Sequence, residues 1–178
     1  MKVYIKNQQR LIKVNPQRIR KYIGKALQFL GLQKAELSIL LVNDRRMKIL
    51  NYQYRGVNRT TDVLSFPQVE LRVKSLEFGV KKKLQVTKLK SRTKNSGLKT
   101  PNFILGDIVI SMPLAQRQAA EHGLTLDEEL RWLLIHGLLH LIGYDHEKSR
   151  YHKNKMRLKE RGMLDALTME KPLMTSDL

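Results

Sequence analysis

The sequence predicts an α+β fold, a small mixed sheet packed with helices in a single domain. Apolar residues recur at two-residue spacing in some segments and at three-to-four-residue spacing in others. The two kinds of segment follow one another without a strict βαβ rhythm, and no internal repeat is present. A chain of 178 residues, 42% of them hydrophobic, is long enough to bury one sizeable core.

Taken in order, Val3 and Ile5, then Leu11, Ile12 and Val14, predict two short strands around a polar turn at Asn7-Gln8-Gln9. Asn15 suits a helix N-cap and Pro16 the first helical position. Ile19, Tyr22, Ile23, Ala26, Leu27 and Leu30 then line one face of an amphipathic helix that Gly31 can end. Leu37 to Val42 reads as a buried strand, and a second helix runs from after Asn43 through Met47 and Leu50 towards Tyr54. Val63-Leu64-Ser65-Phe66 is a strand stopped by Pro67, and Asp107 to Ile110 is another. Pro113 opens a helix that Gly123 closes. Thr125 with Glu128 forms a capping box for the next helix, from about Leu126 to Ile142, with Gly143 as its C-terminal stop. A last, basic helix is expected from about Glu147 to Arg161.

Charge narrows the partners. Thirty-four Lys and Arg against 16 Asp and Glu leave +18, a field that gathers polyanions: RNA, DNA or an anionic membrane surface. From Arg72 to Lys99 ten basic residues face one acid, Glu77, so this stretch alone carries +9. Its sparse apolar residues define no core, and it reads as a basic surface insertion at about 68–102 within a domain spanning 1–165, followed by a C-terminal tail at 166–178. The absence of cysteine removes disulfides and thiolate ligands and fits a reducing compartment. The N-terminal segment lacks the apolar core of a signal peptide, and no run approaches the roughly 20 apolar residues of a membrane span. The expectation is a soluble, cytoplasmic protein with no membrane partner.

The sharpest local signal is His136-Gly137-Leu138-Leu139-His140-Leu141-Ile142-Gly143-Tyr144-Asp145-His146. Histidines four apart on a helix share a face with Cβ atoms about 5–6 Å apart, close enough for both imidazoles to reach one ion. Gly143 permits the left-handed backbone that turns the chain, so that His146 can fold back as a third ligand. Three neutral imidazoles leave a divalent ion its full charge and one open position, an arrangement that lowers the pKa of bound water to about 7. The surrounding leucines bury the helix, where unpaired imidazoles would be costly and a metal is their natural partner. His122, near a helix C-terminus, and His152, in a basic surface helix, are not expected to be ligands. Asp145 and Glu147 flank His146; an acid so placed is expected to support a ligand rather than to move protons.

The histidine spacing also matches the zinc-peptidase motif H-E-x-x-H-x-x-G-x-x-H. Gly137 stands where that motif needs its glutamate base, and glycine cannot move a proton. Peptidase chemistry is therefore not expected.

These residues resemble the YbeY family, metal-dependent single-strand endoribonucleases of ribosomal RNA maturation. The signature H-G-x-x-H-L-x-G-Y-D-H is met throughout His136–His146. Tyr54-Arg55-Gly56 with Thr60-Thr61-Asp62-Val63-Leu64-Ser65-Phe66-Pro67 matches a second family segment, and Gly106 to Ser111 a third. The resemblance spans most of the chain apart from about residues 68–102 and the tail. It implies one Zn2+ per chain on His136, His140 and His146, and a functional arginine at Arg55. A planar guanidinium there suits bidentate contact with phosphate oxygens. It further implies single-stranded, ribosomal RNA as substrate and ribosomal proteins as partners. The connection from Pro67 to Leu105 departs from the family in being longer and strongly basic. Two other readings stay open: a zinc-stabilised RNA-binding chaperone without catalysis, and a metal-dependent hydrolase of another substrate.

Overall fold

The computed structural model describes residues 1–69, 103–167 and 173–174. Among them the element order is β1 (Lys2–Asn7), α1 (Pro16–Phe29), β2 (Ala35–Val42), α2 (Asp44–Arg55), β3 (Val63–Pro67), β4 (Phe103–Ser111), α3 (Met112–His122), α4 (Leu126–Leu141) and α5 (Arg150–Leu167). The strands form one mixed sheet in the order β1-β2-β4-β3. β1, β2 and β4 run parallel, and β3 pairs antiparallel with β4 as an edge strand. The α+β expectation is met.

Each face of the sheet has its own cover. Leu37, Ile39 and Leu41 of β2 and Ile108 and Ile110 of β4 join the main core with α1, α4 and α5. Val109 of β4 and Leu64 of β3 pack instead with Met47 and Leu50 of α2 in a second cluster. The period-two alternation of strand side chains makes this division.

The predicted caps are in place. The Asn15 side chain accepts hydrogen bonds from the backbone N–H groups of Gln17 and Arg18, and Asn43 caps α2 through the N–H of Arg46. Thr125 and Glu128 form the reciprocal capping box of α4. β4 begins earlier than Asp107 and contains a bulge, where Leu105 is the extra residue between the pairs Glu36–Ile104 and Leu37–Gly106. Gly106 has φ 151°, and a Cβ there would lie 2.3 Å from the Phe66 carbonyl oxygen. Only glycine fits that close approach of two backbones.

Two expectations need correction. Leu11, Ile12 and Val14 do not form a second strand against β1. The Gln9 side chain takes both backbone groups of Ile12, donating to its oxygen at 2.7 Å and accepting from its nitrogen at 2.9 Å. The segment therefore forms a loop whose Val14 makes an isolated bridge to Met174, while β1 finds its ladder in parallel β2. The last helix starts at Arg150 rather than Glu147 and continues to Leu167. Met156, Met163 and Leu167 keep its apolar stripe against the core beyond the point where basic residues dominate the sequence.

The basic insertion lies outside the described residues apart from its first two positions, Gln68 and Val69. Leu173, in the expected tail, is buried, and Asp127 accepts its backbone N–H. Among the described residues no helix is long and apolar enough to cross a membrane.

Candidate metal centre

α4 is buried nearly all round, as its leucines predict, with one partly open stripe made by Trp132, His136 and His140. These residues are four apart, so they stack on one face. Behind them, Ser65 of β3 donates its hydroxyl to the Gly137 carbonyl at 3.2 Å, pinning this turn of α4 to the edge strand.

The helix ends in a Schellman arrangement: Gly143 N–H donates to the His140 carbonyl and Tyr144 N–H to that of Leu139, both at 3.0 Å. Gly143 takes φ 91°, and the buried Tyr144 closes the motif against the core. This reversal returns His146 to the first two histidines. Ring centroids of His136 and His140 are 4.6 Å apart, and His146 lies 5.3 Å and 5.1 Å from them. The Nε2 atoms of His136 and His140 face each other at 3.0 Å. One ligand atom from each of the three rings falls within 4.8 Å of the others, a grouping that can hold a metal ion.

The environment of His140 suits a neutral imidazole. Burial, and then the neighbouring rings of His136 and His146, hold the His140 pKa down to about 4, so its lone pair is free at neutral pH. His136 Nδ1 lies 2.7 Å from Glu160 Oε1, a buried carboxylate of α5. With Nδ1–H donated to Glu160, the Nε2 lone pair of His136 points into the cluster. Trp132 flanks the same ring with centroids 4.9 Å apart.

The sequence reading found the three histidines and missed Glu160. Asp145 turns back on its own loop, accepting from the Glu147 N–H at 2.9 Å; that bond in the first place holds its carboxyl below the usual range. Glu147 is exposed. The signal for Glu160 lay in α5, where Met156, Glu160, Met163 and Leu167 share one buried stripe. An acid in an apolar register has to have a buried partner. Arg55 is the last residue of α2, exposed, and has no hydrogen-bond or ion-pair partner among the described residues. His122 bonds through Nδ1 to Glu129 at 3.1 Å and His152 to Ser149 at 2.7 Å, and neither belongs to the three-histidine group.

Comparison with known proteins places the chain in a family. The family profile described as Endoribonuclease YbeY matches residues 4–168. The chain is 40% identical over 156 residues to Endoribonuclease YbeY of Aquifex aeolicus, covering 88% of this chain and 86% of that protein. It is 42% identical over 134 residues to the protein of the same name from Leptospira interrogans, covering 75% and 88%. In fold it is similar to the solution structure of TM1509 from Thermotoga maritima, with a TM-score of 0.57 at 23% identity over 93% of this chain and 88% of that one. A match running from β1 to just past the end of α5, with relatives near 40% identity over most of both chains, means that this chain belongs to the endoribonuclease YbeY family.

Proposed function

We propose that the chain is a zinc-dependent endoribonuclease specific for single-stranded RNA, acting on ribosomal RNA in processing and ribosome maturation. The observation that carries the reading is the convergence of three imidazoles, one of them backed by a buried carboxylate. That the relatives are named endoribonucleases supports RNA as the substrate class. The net charge of +18 supports a polyanion, and the compartment would be the cytoplasm, with ribosomal proteins as partners.

The donor set fits zinc, which takes imidazole nitrogens and leaves a fourth position open when three ligands come from protein. His136, His140 and His146 would hold one ion per chain. When bound, the ion supplies a Lewis acid with its double charge undiminished by anionic ligands. His140, with its pKa near 4, offers its lone pair without competition from a proton at neutral pH. Glu160 holds His136 in the matching tautomer. Arg55, with no acidic partner among the described residues, is the residue to grip the phosphate at the cleavage point with its planar fork. Residues 1–165 would form the catalytic domain, with the basic stretch outside the chemistry.

The test is metal analysis together with cleavage of single-stranded and duplex RNA. Wild type should hold about one zinc per chain and cut the single strand. His140→Ala should lose zinc and cleavage together; full zinc in that variant sinks the ligand assignment. Arg55→Ala should keep zinc and fold but lose most cleavage, with Arg55→Lys rescuing poorly. RNA binding without cleavage by zinc-loaded wild type would favour the chaperone reading.

A further inference from the structure

The face of α2 turned to solvent is not built like an ordinary solvated face. Arg45, Lys48, Tyr52 and Arg55 follow one another at three- and four-residue spacing, and Ile49 stands four after Arg45 and three before Tyr52, so the five form a single stripe. It lies opposite Met47 and Leu50, which dock α2 on the sheet. All five residues are exposed, Tyr52 by 62% and Ile49 by 47%. Arg45, Lys48 and Arg55 form no ion pair or hydrogen bond through their side chains with any described residue. The one acid of the helix, Asp44, is already engaged by the Ser111 hydroxyl at 2.6 Å and by Arg117 at 2.7 Å.

A helix that met only water would pair its cations with acids four residues away and keep large apolar groups inside. Here Arg45 and Lys48 repel each other at i,i+3, and Ile49 and Tyr52 stand open beside them. Clustered cations around an exposed aromatic ring are the elements of a stacking surface for unpaired bases with flanking phosphates. The helix that bears the stripe and the helix that bears the histidines share a neighbour, edge strand β3. Within edge strand β3, Ser65 donates to Gly137 of α4, and the next residue, Phe66, meets the Tyr54 ring of α2 at 4.9 Å. One short strand thus touches the helix that holds His136 and the aromatic end of α2.

We infer that this face of α2 is a docking track for single-stranded RNA, with an unpaired base stacked on Tyr52 and adjacent phosphates held by Arg45 and Lys48. The inference rests on the proposed RNA-cleaving function and adds to it where the strand lies beyond the cut. Because every base has a π-face, a tyrosine platform tolerates sequence. Because duplex bases are already stacked on one another, the platform selects against duplex. That supplies a physical source for single-strand preference separate from the metal.

The experiment compares wild type, Tyr52→Ala, Tyr52→Trp and Lys48→Gln in binding a labelled single-stranded 2′-O-methyl RNA at several salt concentrations. Cleavage of the unmodified strand and of its duplex is followed in parallel. The substituted side chains are exposed, so the fold is retained, and circular dichroism checks it. Tyr52→Ala should bind the single strand about 5- to 150-fold more weakly, with an unchanged slope of log affinity against log salt. Tyr52→Trp should bind as wild type. Lys48→Gln should flatten the slope by about 0.7, the value of one phosphate contact. The cleavage rate at saturating RNA should hold in Tyr52→Ala while KM rises. Unchanged affinity in Tyr52→Ala would overturn the inference and leave the face to a protein partner, and an equal loss of duplex cleavage would overturn the stacking of an unpaired base on Tyr52. Wild type that neither binds nor cuts single-stranded RNA would refute the proposed function itself. Wild type that cuts it while Tyr52→Ala is indifferent would refute the docking track alone.

Discussion

Glu160→Ala should weaken zinc binding about 10- to 100-fold although Glu160 is not among the grouped ligands. Its Oε1 sits 2.7 Å from His136 Nδ1 in a buried setting, so the bond is short, charge-assisted and shielded from solvent. A hydrogen bond to a charged group is worth about 1.5–3 kcal/mol, and a 10- to 100-fold loss corresponds to about 1.4–2.7 kcal/mol, so the magnitudes agree. Three substitutions separate the causes. Glu160→Met fills similar space with no acceptor and should match alanine if the hydrogen bond matters more than packing. Glu160→Gln keeps an acceptor oxygen but loses the negative charge, so it should fall between wild type and alanine. Without metal, Glu160→Gln should cost little stability, because a buried carboxylate pays a desolvation penalty that the amide avoids. Competition titration against a chromophoric zinc chelator gives the affinities at fixed pH, and thermal melts of the metal-free proteins give the stability. If methionine, glutamine and alanine all bind zinc within about twofold of wild type, Glu160 is a packing residue and the reasoning fails.

Two further outcomes follow. Chelating the metal should lower the melting temperature: at free zinc about 100 times Kd the bound state gains about 2.7 kcal/mol, or about 5–11 °C for a chain of this size, as scanning calorimetry with and without zinc will register. Replacing Arg72–Lys99 by a short neutral loop should flatten the salt dependence of single-stranded RNA binding by about 2 to 3.5 while leaving zinc content and the rate at saturation alone, with salt titrations of both proteins as the measurement.

Local rules accounted for most of the fold. Asn15, Asn43 and Thr125 cap helices as their residue types require, because each offers an oxygen to backbone N–H groups that have no other partner. The histidine cluster was legible for a similar reason: His136, His140, Gly143 and His146 lie within one helix end and one turn, so spacing alone fixes their geometry. What failed was nonlocal. Leu11 to Val14 has strand composition, yet Gln9 satisfies Ile12 before any strand can. The extension of β4 back to Phe103 depends on pairing with Ala35 and a bulge at Leu105 that no single segment announces. Glu160 stands 24 residues from His136, and only the packing of α5 on α4 joins them. Its position in an apolar stripe was the available clue, masked by the surrounding lysines and arginines.

Gly137 marks the clearest divergence from a peptidase, and the structure gives it a positive role. A Cβ at this position would lie 3.0 Å from Ile108 Cγ2 and 3.2 Å from Ser65 Oγ. The residue that in peptidases reaches the metal as a base therefore faces the sheet here, on the packed side of α4. The close fit of helix on sheet takes the place of a side chain, and the hydroxyl of Ser65 bonds to the carbonyl it leaves accessible. Activation of a nucleophile has to come from elsewhere in the site. In Gly137→Ala, a helix-propensity gain of about 1 kcal/mol opposes an overpacking cost of about 1–3 kcal/mol, for a net loss of up to about 2 kcal/mol with zinc retained. Gly137→Glu would drive an unpaired carboxylate into the interface between α4, β3 and β4, a cost of several kcal/mol that should leave little folded protein. Thermal melts, zinc analysis and a casein assay on both variants check this. A Gly137→Glu variant that folds with wild-type stability and cuts peptide would show that the position faces the metal, and that the difference from a peptidase is one residue rather than the packing of a helix.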